Sequence, residues 1–258
     1  IKFDCYQCKE CSLVYGSPQP IINDDSINEI YSSEYYQNYF GANNDYVEVS
    51  TERNLILKKR LQMEFEYYYS FVKESESPKK ILDLGCGDGR FLEFFVELGW
   101  DCYGIEPSDF VSEIARKKNI KILDKSMLDI DENNKFDFIF MDNVIEHLDY
   151  PGQYVDKASE LLNESGVIVI KTPNSSGLLE QIEYMVLSYC PKFISKGIMK
   201  LLHNKYSIGS GTVHRYGNLH PPVHLSLFNR KSITKALTAS GFKNKNIKVL
   251  SGSEYFHL

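Results

Sequence analysis

An α/β fold built on a doubly wound, mostly parallel sheet is what this sequence predicts, and three observations predict it. An apolar run, Lys80 to Leu84, stops at the alternating glycines Gly85, Gly87 and Gly89. Arg90 to Leu98 then has helical spacing, with Phe91, Phe94, Phe95 and Leu98 on one face and Gly99 as its stop. A second apolar run, Asp101 to Ile105, ends on a lone carboxylate, Glu106, and strand-like and helix-like segments go on alternating to Ile170.

Each element follows from its residues. Ile81, Leu82 and Leu84 suit a strand buried on both faces. The glycines let the backbone turn tightly and approach a ligand with no Cβ in the way. Glu106 falls at the tip of the next strand, where a carboxylate accepts the hydroxyls of a ribose, so the layout is that of a nucleotide-cofactor half-site. A third strand is expected over Ile120 to Leu123 and a fourth over Phe136 to Asn143. A helix is expected from Pro151 to Leu162 and a buried fifth strand over Val167 to Ile170.

Spacing separates two cofactor plans. A dinucleotide fingerprint wants its third glycine at the position held by Arg90, whereas here it comes one residue earlier, at Gly89. The pattern acid-x-Gly-x-Gly-x-Gly, filled by Asp83, Gly85, Gly87 and Gly89, instead resembles the first motif of class I S-adenosylmethionine-dependent methyltransferases. The resemblance runs over residues 78–174 and implies a Rossmann-like, seven-stranded, mostly parallel sheet with an N-terminal cap and a helical lid insertion. It further implies that S-adenosylmethionine is held by Asp83, Gly85, Cys86, Gly87, Gly89, Glu106 and Pro107. Ser126 and Met127 would flank adenine, and Asp142 and Asn143 at the exit of the fourth strand would face the methionine end.

Two histidines are candidates for acid-base work. His147 lies in Glu146-His147-Leu148, which resembles an element of many small-molecule methyltransferases. His224 lies in His220-Pro221-Pro222-Val223-His224-Leu225-Ser226-Leu227-Phe228, similar to a His-Leu-x-x-Phe segment of a methyltransferase group common in bacterial glycan and sugar-biosynthesis clusters. The resemblance implies that His224 faces the transferred methyl group. Imidazole titrates near neutrality and can take a proton from an attacking hydroxyl. Sugar C-methyltransferases of that group carry tyrosine and glutamate around the matching histidine, where this chain has Pro221 and Val223. Oxygen is therefore the favoured acceptor atom.

Charge divides sharply along the chain. Tyr184 to Ser253 contains no Asp or Glu but eleven Lys and Arg, so a segment of +11 is joined to a remainder of −17, for a net charge of −6. Such a one-sign segment favours an anionic small molecule, such as a nucleotide-linked sugar. His214, Arg215, Tyr216 and His220 lie in or beside its Gly/Ser-rich stretch and are the substrate-binding candidates. Leu178 to Ser188 and Lys192 to Leu202 have helical spacing. The second, with Lys192, Lys196 and Lys200 opposite an apolar face, suits either a lid or an anionic membrane surface with a lipid-linked or quinone-type acceptor. No aromatic-stacking RNA module or Asn-Pro-Pro-Tyr motif accompanies the charge, which argues against a nucleic-acid partner.

The amino terminus carries a separate signal. Cys5, Cys8 and Cys11 at two-residue spacing resemble the second knuckle of a zinc ribbon, and the resemblance implies a zinc site there, although tetrahedral zinc wants four ligands. Cys86, Cys102 and Cys190 are scattered and read as buried thiols, which with no apolar run of membrane-span length leads to a cytoplasmic expectation. At 258 residues and 43% hydrophobic content the chain can bury one large core with appended elements. The divisions expected are residues 1–20, a partial zinc-ribbon-like knuckle; 21–77, an aromatic-rich helical cap; 78–174, the cofactor-binding core; 175–229, a basic substrate-binding lid; and 230–258, a helix and the strand Ile247 to Leu250 completing the core. A helix over Glu52 to Val72, bearing Leu55, Leu61, Phe65, Tyr68 and Tyr69, is expected to cap the cofactor mouth.

Overall fold

The structure, a computed structural model, describes residues 4–18, 51–72, 79–176, 219, 223–243 and 246–250. The chain divides into two compact units, and both are interleaved in sequence. One comprises Ile1–Ile21, Glu146–Asp149 and Thr172–Leu258, and the other Ile22–Ile145 and Tyr150–Lys171. These boundaries cross the linear divisions expected from sequence.

The larger α/β unit holds a parallel sheet of five strands among the described residues, against the seven expected. Its strands are β3 (Lys80–Leu84), β4 (Asp101–Ile105), β5 (Lys121–Ile122), β6 (Phe136–Asp142) and β7 (Leu162–Lys171), in the spatial order β5-β4-β3-β6-β7. Ile81, Leu82, Phe138 and Ile139 are fully buried, as strands covered on both faces require, and each such side chain contributes roughly 1.5–3 kcal/mol. The order reverses between β3 and β6, so the carboxyl ends of these two strands flank the crevice where open α/β sheets bind ligands.

Helices cover the sheet. In α1 (Thr51–Tyr69), Phe65 stacks on Phe94 at 5.2 Å and meets Phe95 edge-on at 5.0 Å, while Tyr68 packs against Phe140 and Tyr69 against Trp100. The aromatic stripe expected to cap a cofactor is therefore a core-packing face, and Leu55, assigned to it from spacing, is exposed. Helix α2 is only Glu93–Glu97, shorter than the expected Arg90 to Leu98, because the preceding residues are held in a turn in which Asp88 accepts from the Arg90 backbone and guanidinium. Leu98 is exposed, and Gly99, at φ +77°, ends the helix as expected. Helices α3 (Asp109–Arg116) and α4 (Pro151–Leu161) complete the unit, α4 opening on Pro151.

Strand β5 is the shortest of the sheet, and Lys121 on it donates to Asp101 at 2.5 Å. Strand β7 begins earlier than the expected Val167, pairing Leu162 with Phe136 and then shifting register before Phe138 and Val167.

The second unit holds a three-stranded antiparallel sheet, β1 (Asp4–Gln7), β2 (Val14–Ser17) and β8 (Ser226–Leu227), in that order. Val14, Leu219 and Leu227 form its buried cluster. Helix α5 (Arg230–Ala239) starts at a capping box: the Asn229 side chain accepts from Ser232 N–H at 3.0 Å, and the Ser232 hydroxyl accepts from Asn229 N–H at 2.9 Å. Ile247 to Leu250 form no strand, contrary to expectation. Among the described residues they have no ladder partner, and Val249 gives its carbonyl to the Arg230 guanidinium at 2.7 Å.

Candidate functional site

In the α/β unit the three glycines fill different needs. Gly85 and Gly89, both at φ +75°, leave no room for a side chain: a Cβ on Gly85 would lie 2.5 Å from Val144 Cγ2, and one on Gly89 would lie 2.2 Å from Ile120 Cδ1. Gly87, at φ +55°, would place a Cβ in open space. Two of the glycines therefore serve packing, and the third leaves open space beside the turn. Backbone N–H groups of Gly85 and Cys86 both donate to the Ile105 carbonyl, at 2.8 and 3.1 Å, which moors the loop to the end of β4.

Glu106 is fixed by that loop. Its Oε2 accepts from Gly87 N–H at 3.1 Å and its Oε1 from Ser108 N–H at 2.9 Å, so the carboxylate plane is set beside the bare glycine. A carboxylate in that position suits ribose hydroxyls, and the cradle fits the adenosyl part of S-adenosylmethionine. Pro107 follows it, half-buried. The Cys86 thiol is buried against the position of Gly104, and burial drives its pKa far up. Ser126 caps the single 3-10 turn Met127–Asp129, its hydroxyl accepting from Leu128 N–H at 3.3 Å and lying 3.5 Å from Tyr154 Oη. Met127 is fully buried, so its side chain is core.

The floor at the strand ends is acidic. Burial pushes the Asp83 carboxyl well up, with the charges of Asp142 and Glu106 adding to the effect and Lys171 opposing it. Asp142 is likewise raised by burial, against the pull of Lys171. Lys171, at the end of β7, bridges two acids, lying 2.6 Å from Asp142 Oδ2 and 2.9 Å from Glu64 Oε2 of α1. These partners outweigh the desolvation of its ammonium and raise its pKa. Asn143 adopts a left-handed φ of +53°, donating its side-chain amide to Asp142 Oδ1 at 2.7 Å and its backbone N–H to the Lys171 carbonyl at 2.9 Å. Glu64 and Lys171 were not picked out by sequence: nothing in a helix face or a strand end marks such a bridge.

In the other unit the two candidate histidines meet. The rings of His147 and His224 stand edge to face with centroids 4.6 Å apart. His147 Nδ1 lies 2.8 Å from the Val223 carbonyl, which can only accept, so Nδ1 carries the proton in the neutral ring and Nε2 is left with its lone pair. That Nε2 is 3.9 Å from Oε1 of Glu146, a wholly buried carboxylate whose Oε2 accepts from the Thr172 hydroxyl at 3.0 Å. Sequence reading missed Glu146 and Thr172 as participants, though Glu146 adjoins His147 in the motif. The arrangement sets two imidazoles and a buried carboxyl side by side, groups that can take up and pass on a proton.

Among the described residues the three cysteines form no cluster of donor atoms. Among the described residues the one group of three His, Cys, Asp or Glu donor atoms within 4.8 Å of one another is Glu146, His147 and His224. Cys5 lies in extended β1, opposite Gly16, and three extended residues carry it about 10 Å along the strand from Cys8 at the turn. Cys8 and Cys11 do approach, and hydrogen bonds from the backbone of Cys11 and Glu10 hold the Cys8 thiol pKa down. Three cysteines alone fall one short of the four ligands that tetrahedral zinc takes. His214, Arg215, Tyr216 and His220, with both helices of the basic segment, lie outside the described residues. No helix among the described residues is long and apolar enough to cross a membrane.

Comparison with known proteins bears on this geometry. Residues 57–247 match the family model described as "Methyltransferase domain". A ubiquinone biosynthesis O-methyltransferase of Rhodopseudomonas palustris (strain TIE-1) is 30% identical over 128 residues, 46% of this chain and 49% of that protein. The chain thus spans about half the length of the curated relatives it matches. Among solved structures, magnesium protoporphyrin IX methyltransferase from Synechocystis PCC 6803 with bound SAH superimposes with a TM-score of 0.52 at 13% identity, covering 86% of this chain and 90% of that one. A SAM-dependent methyltransferase from Archaeoglobus fulgidus gives 0.51 at 19%, covering 83% and 75%. At these identities the likeness is one of fold.

Proposed function

Since the chain belongs to the methyltransferase-domain family, of the class I S-adenosylmethionine-dependent kind, we propose that it transfers a methyl group to a hydroxyl oxygen of a small-molecule acceptor. The observation that carries this reading is the pair of imidazoles, one with its tautomer fixed by the Val223 carbonyl, set beside the buried Glu146. S-Adenosylmethionine, when bound, supplies an electrophilic methyl carbon. What remains for the protein is to hold the cofactor, orient the acceptor and take the acceptor's proton.

Glu106 and the bare surface at Gly87 bind the adenosyl part, and Asp142 and Asn143 lie toward the amino-acid part. His224 accepts the acceptor's proton, with His147 as a second station whose charge the Glu146 carboxylate stabilises. A sugar carried on a nucleotide or phosphate is the favoured acceptor, because the acid-free basic segment would attract its anionic carrier. A quinone-type phenol is the second reading, favoured by the name of the Rhodopseudomonas relative and by the basic amphipathic pattern of Lys192 to Leu202.

Isothermal titration with S-adenosylhomocysteine, using NAD as control, tests the cofactor. Binding of the former alone is expected, and failure of the folded protein to bind it would sink the reading. Transfer of radiolabelled methyl to a panel of nucleotide sugars, and to a catechol-type quinol presented in anionic liposomes, then separates the acceptors. His224→Ala is expected to slow transfer about a hundredfold with cofactor affinity unchanged. An intact rate in that variant would remove His224 as the base.

A further inference from the structure

The segment that carries His224 is held from both edges, and one of those edges is the amino terminus. Strand β8 is only two residues long, too short to fix anything by itself. On one side Val14 pairs with Leu227 and Tyr15 with Ser226, and Gly16 N–H donates to the Leu225 carbonyl at 3.3 Å. On the other side Leu225 N–H donates to the Glu146 carbonyl at 2.9 Å, the Val223 carbonyl accepts from His147, and Ser175 N–H donates to the Phe228 carbonyl at 2.7 Å. Leu225 is fully buried, with its carbonyl turned to the hairpin and its amide to the histidine motif. The hairpin is therefore the outer wall of the segment that carries His224, two residues ahead of β8.

One side chain closes this arrangement. Asn229, nearly buried, caps α5 through its carbonyl oxygen and donates its amide nitrogen to the Ser12 carbonyl at 2.8 Å. Ser12 takes a left-handed φ of +63° at the hairpin turn, the conformation that brings this carbonyl within reach. A single asparagine thus joins hairpin, histidine segment and helix. The two ends of its amide do separate work.

We propose that the N-terminal hairpin is a positioning element for the His147–His224 pair and that Asn229 is the positioning residue that latches it there. This rests on the methyl-transfer reading for its kinetic consequence, but not for its structural one. Releasing the latch lets β2 drift from β8, and the segment bearing His224 loses one of its two walls. The cofactor cradle, built in the other unit from residues 83–106, is left as it was.

Two variants dissect the latch. Asn229→Ser keeps an oxygen for the helix cap, but the side chain is too short to reach Ser12. Asn229→Asp keeps the cap at full length and loses only the donor. In both, S-adenosylhomocysteine affinity is expected to stay within about twofold, while kcat falls about tenfold with acceptor KM little changed, as for a misplaced catalytic group. Amide hydrogen exchange at Gly16, whose N–H donates to the Leu225 carbonyl, is expected to quicken, while exchange at Ile81 and Leu82 stays the same. Should the wild-type protein show no methyl transfer, the exchange measurement still reads the latch. Wild-type exchange at Gly16 in folded Asn229→Asp overturns the proposal, as does an unchanged kcat in a protein whose wild-type form is active.

Discussion

Asp83 to Glu106, the proposed cofactor cradle, are one continuous stretch, whereas the histidine pair is gathered from residues 77 positions apart with a wall supplied by the hairpin of β1 and β2. The cradle is a strand, a turn and a helix in immediate succession, so its geometry is dictated by local backbone needs. The histidine site is made of backbone bonds between remote residues, and no one segment of it has a shape of its own. A local site tolerates change elsewhere in the chain, while a composite one is exposed to it.

The sharpest break between these cases lies within the cradle itself. Gly89→Ala is expected to cost about 3 kcal/mol of stability, from the left-handed backbone and the collision with Ile120 and Ala115 together. Gly87→Ala, at a similar φ but with open space around it, should cost about 1 kcal/mol in urea unfolding yet weaken S-adenosylhomocysteine binding markedly. Equal losses of stability in the two would show that Gly87 is also a packing glycine.

Next in size is Glu106→Gln. Losing the charge on a group that organises Gly87 and Ser108 should lower S-adenosylhomocysteine affinity about tenfold to a hundredfold in titration, with little change in melting temperature. A large drop in melting temperature would make Glu106 a structural brace instead.

A smaller effect concerns Asp83. Because burial raises its pKa, the folded chain holds this proton more tightly than the unfolded one, and its contribution to stability declines as pH rises from the unfolded value of about 3.9 through the raised folded one. Asp83→Asn removes that decline. The difference between variant and parent in urea unfolding should therefore move in the variant's favour between about pH 4 and pH 7. A constant difference would mean that the carboxyl is not protonated preferentially in the folded state.

Least of all is expected from Lys235→Ala. The Lys235–Glu10 pair joins α5 to the hairpin at the surface, both side chains more than half exposed, and water screens it. No measurable change in kcat or melting temperature should follow. A tenfold loss of kcat would place the hairpin's hold at this surface pair and not at Asn229.

What the sequence made legible follows the same division. The glycine spacing, Glu106 and the apolar strands were readable because each depends on neighbours in the chain, and β3, β4, β6 and the start of α4 lie where periodicity puts them. The ends of α2 and β7 were not, since one is set by the Asp88–Arg90 turn and the other by pairing with Phe136. Nor was the pairing of the cysteine hairpin with β8. Its spacing suggested a metal knuckle, whereas its ladder partner lies more than two hundred residues away and is two residues long. Such pairing leaves no periodic trace, because two residues cannot show a period. Ile247 to Leu250 differ in the opposite sense, having the composition of a strand but no strand partner among the described residues.

Strand β5 has one more consequence. It ends the parallel sheet among the described residues, and an unpaired edge of long, flat, apolar strand would invite another chain to add to it. Here the edge offers two residues, one of them Lys121, whose ammonium is held by Asp101 and the Tyr103 hydroxyl. Crowded copies of the protein should therefore find little to zip onto at this border, a safeguard against sheet-to-sheet aggregation set by brevity and a single charge.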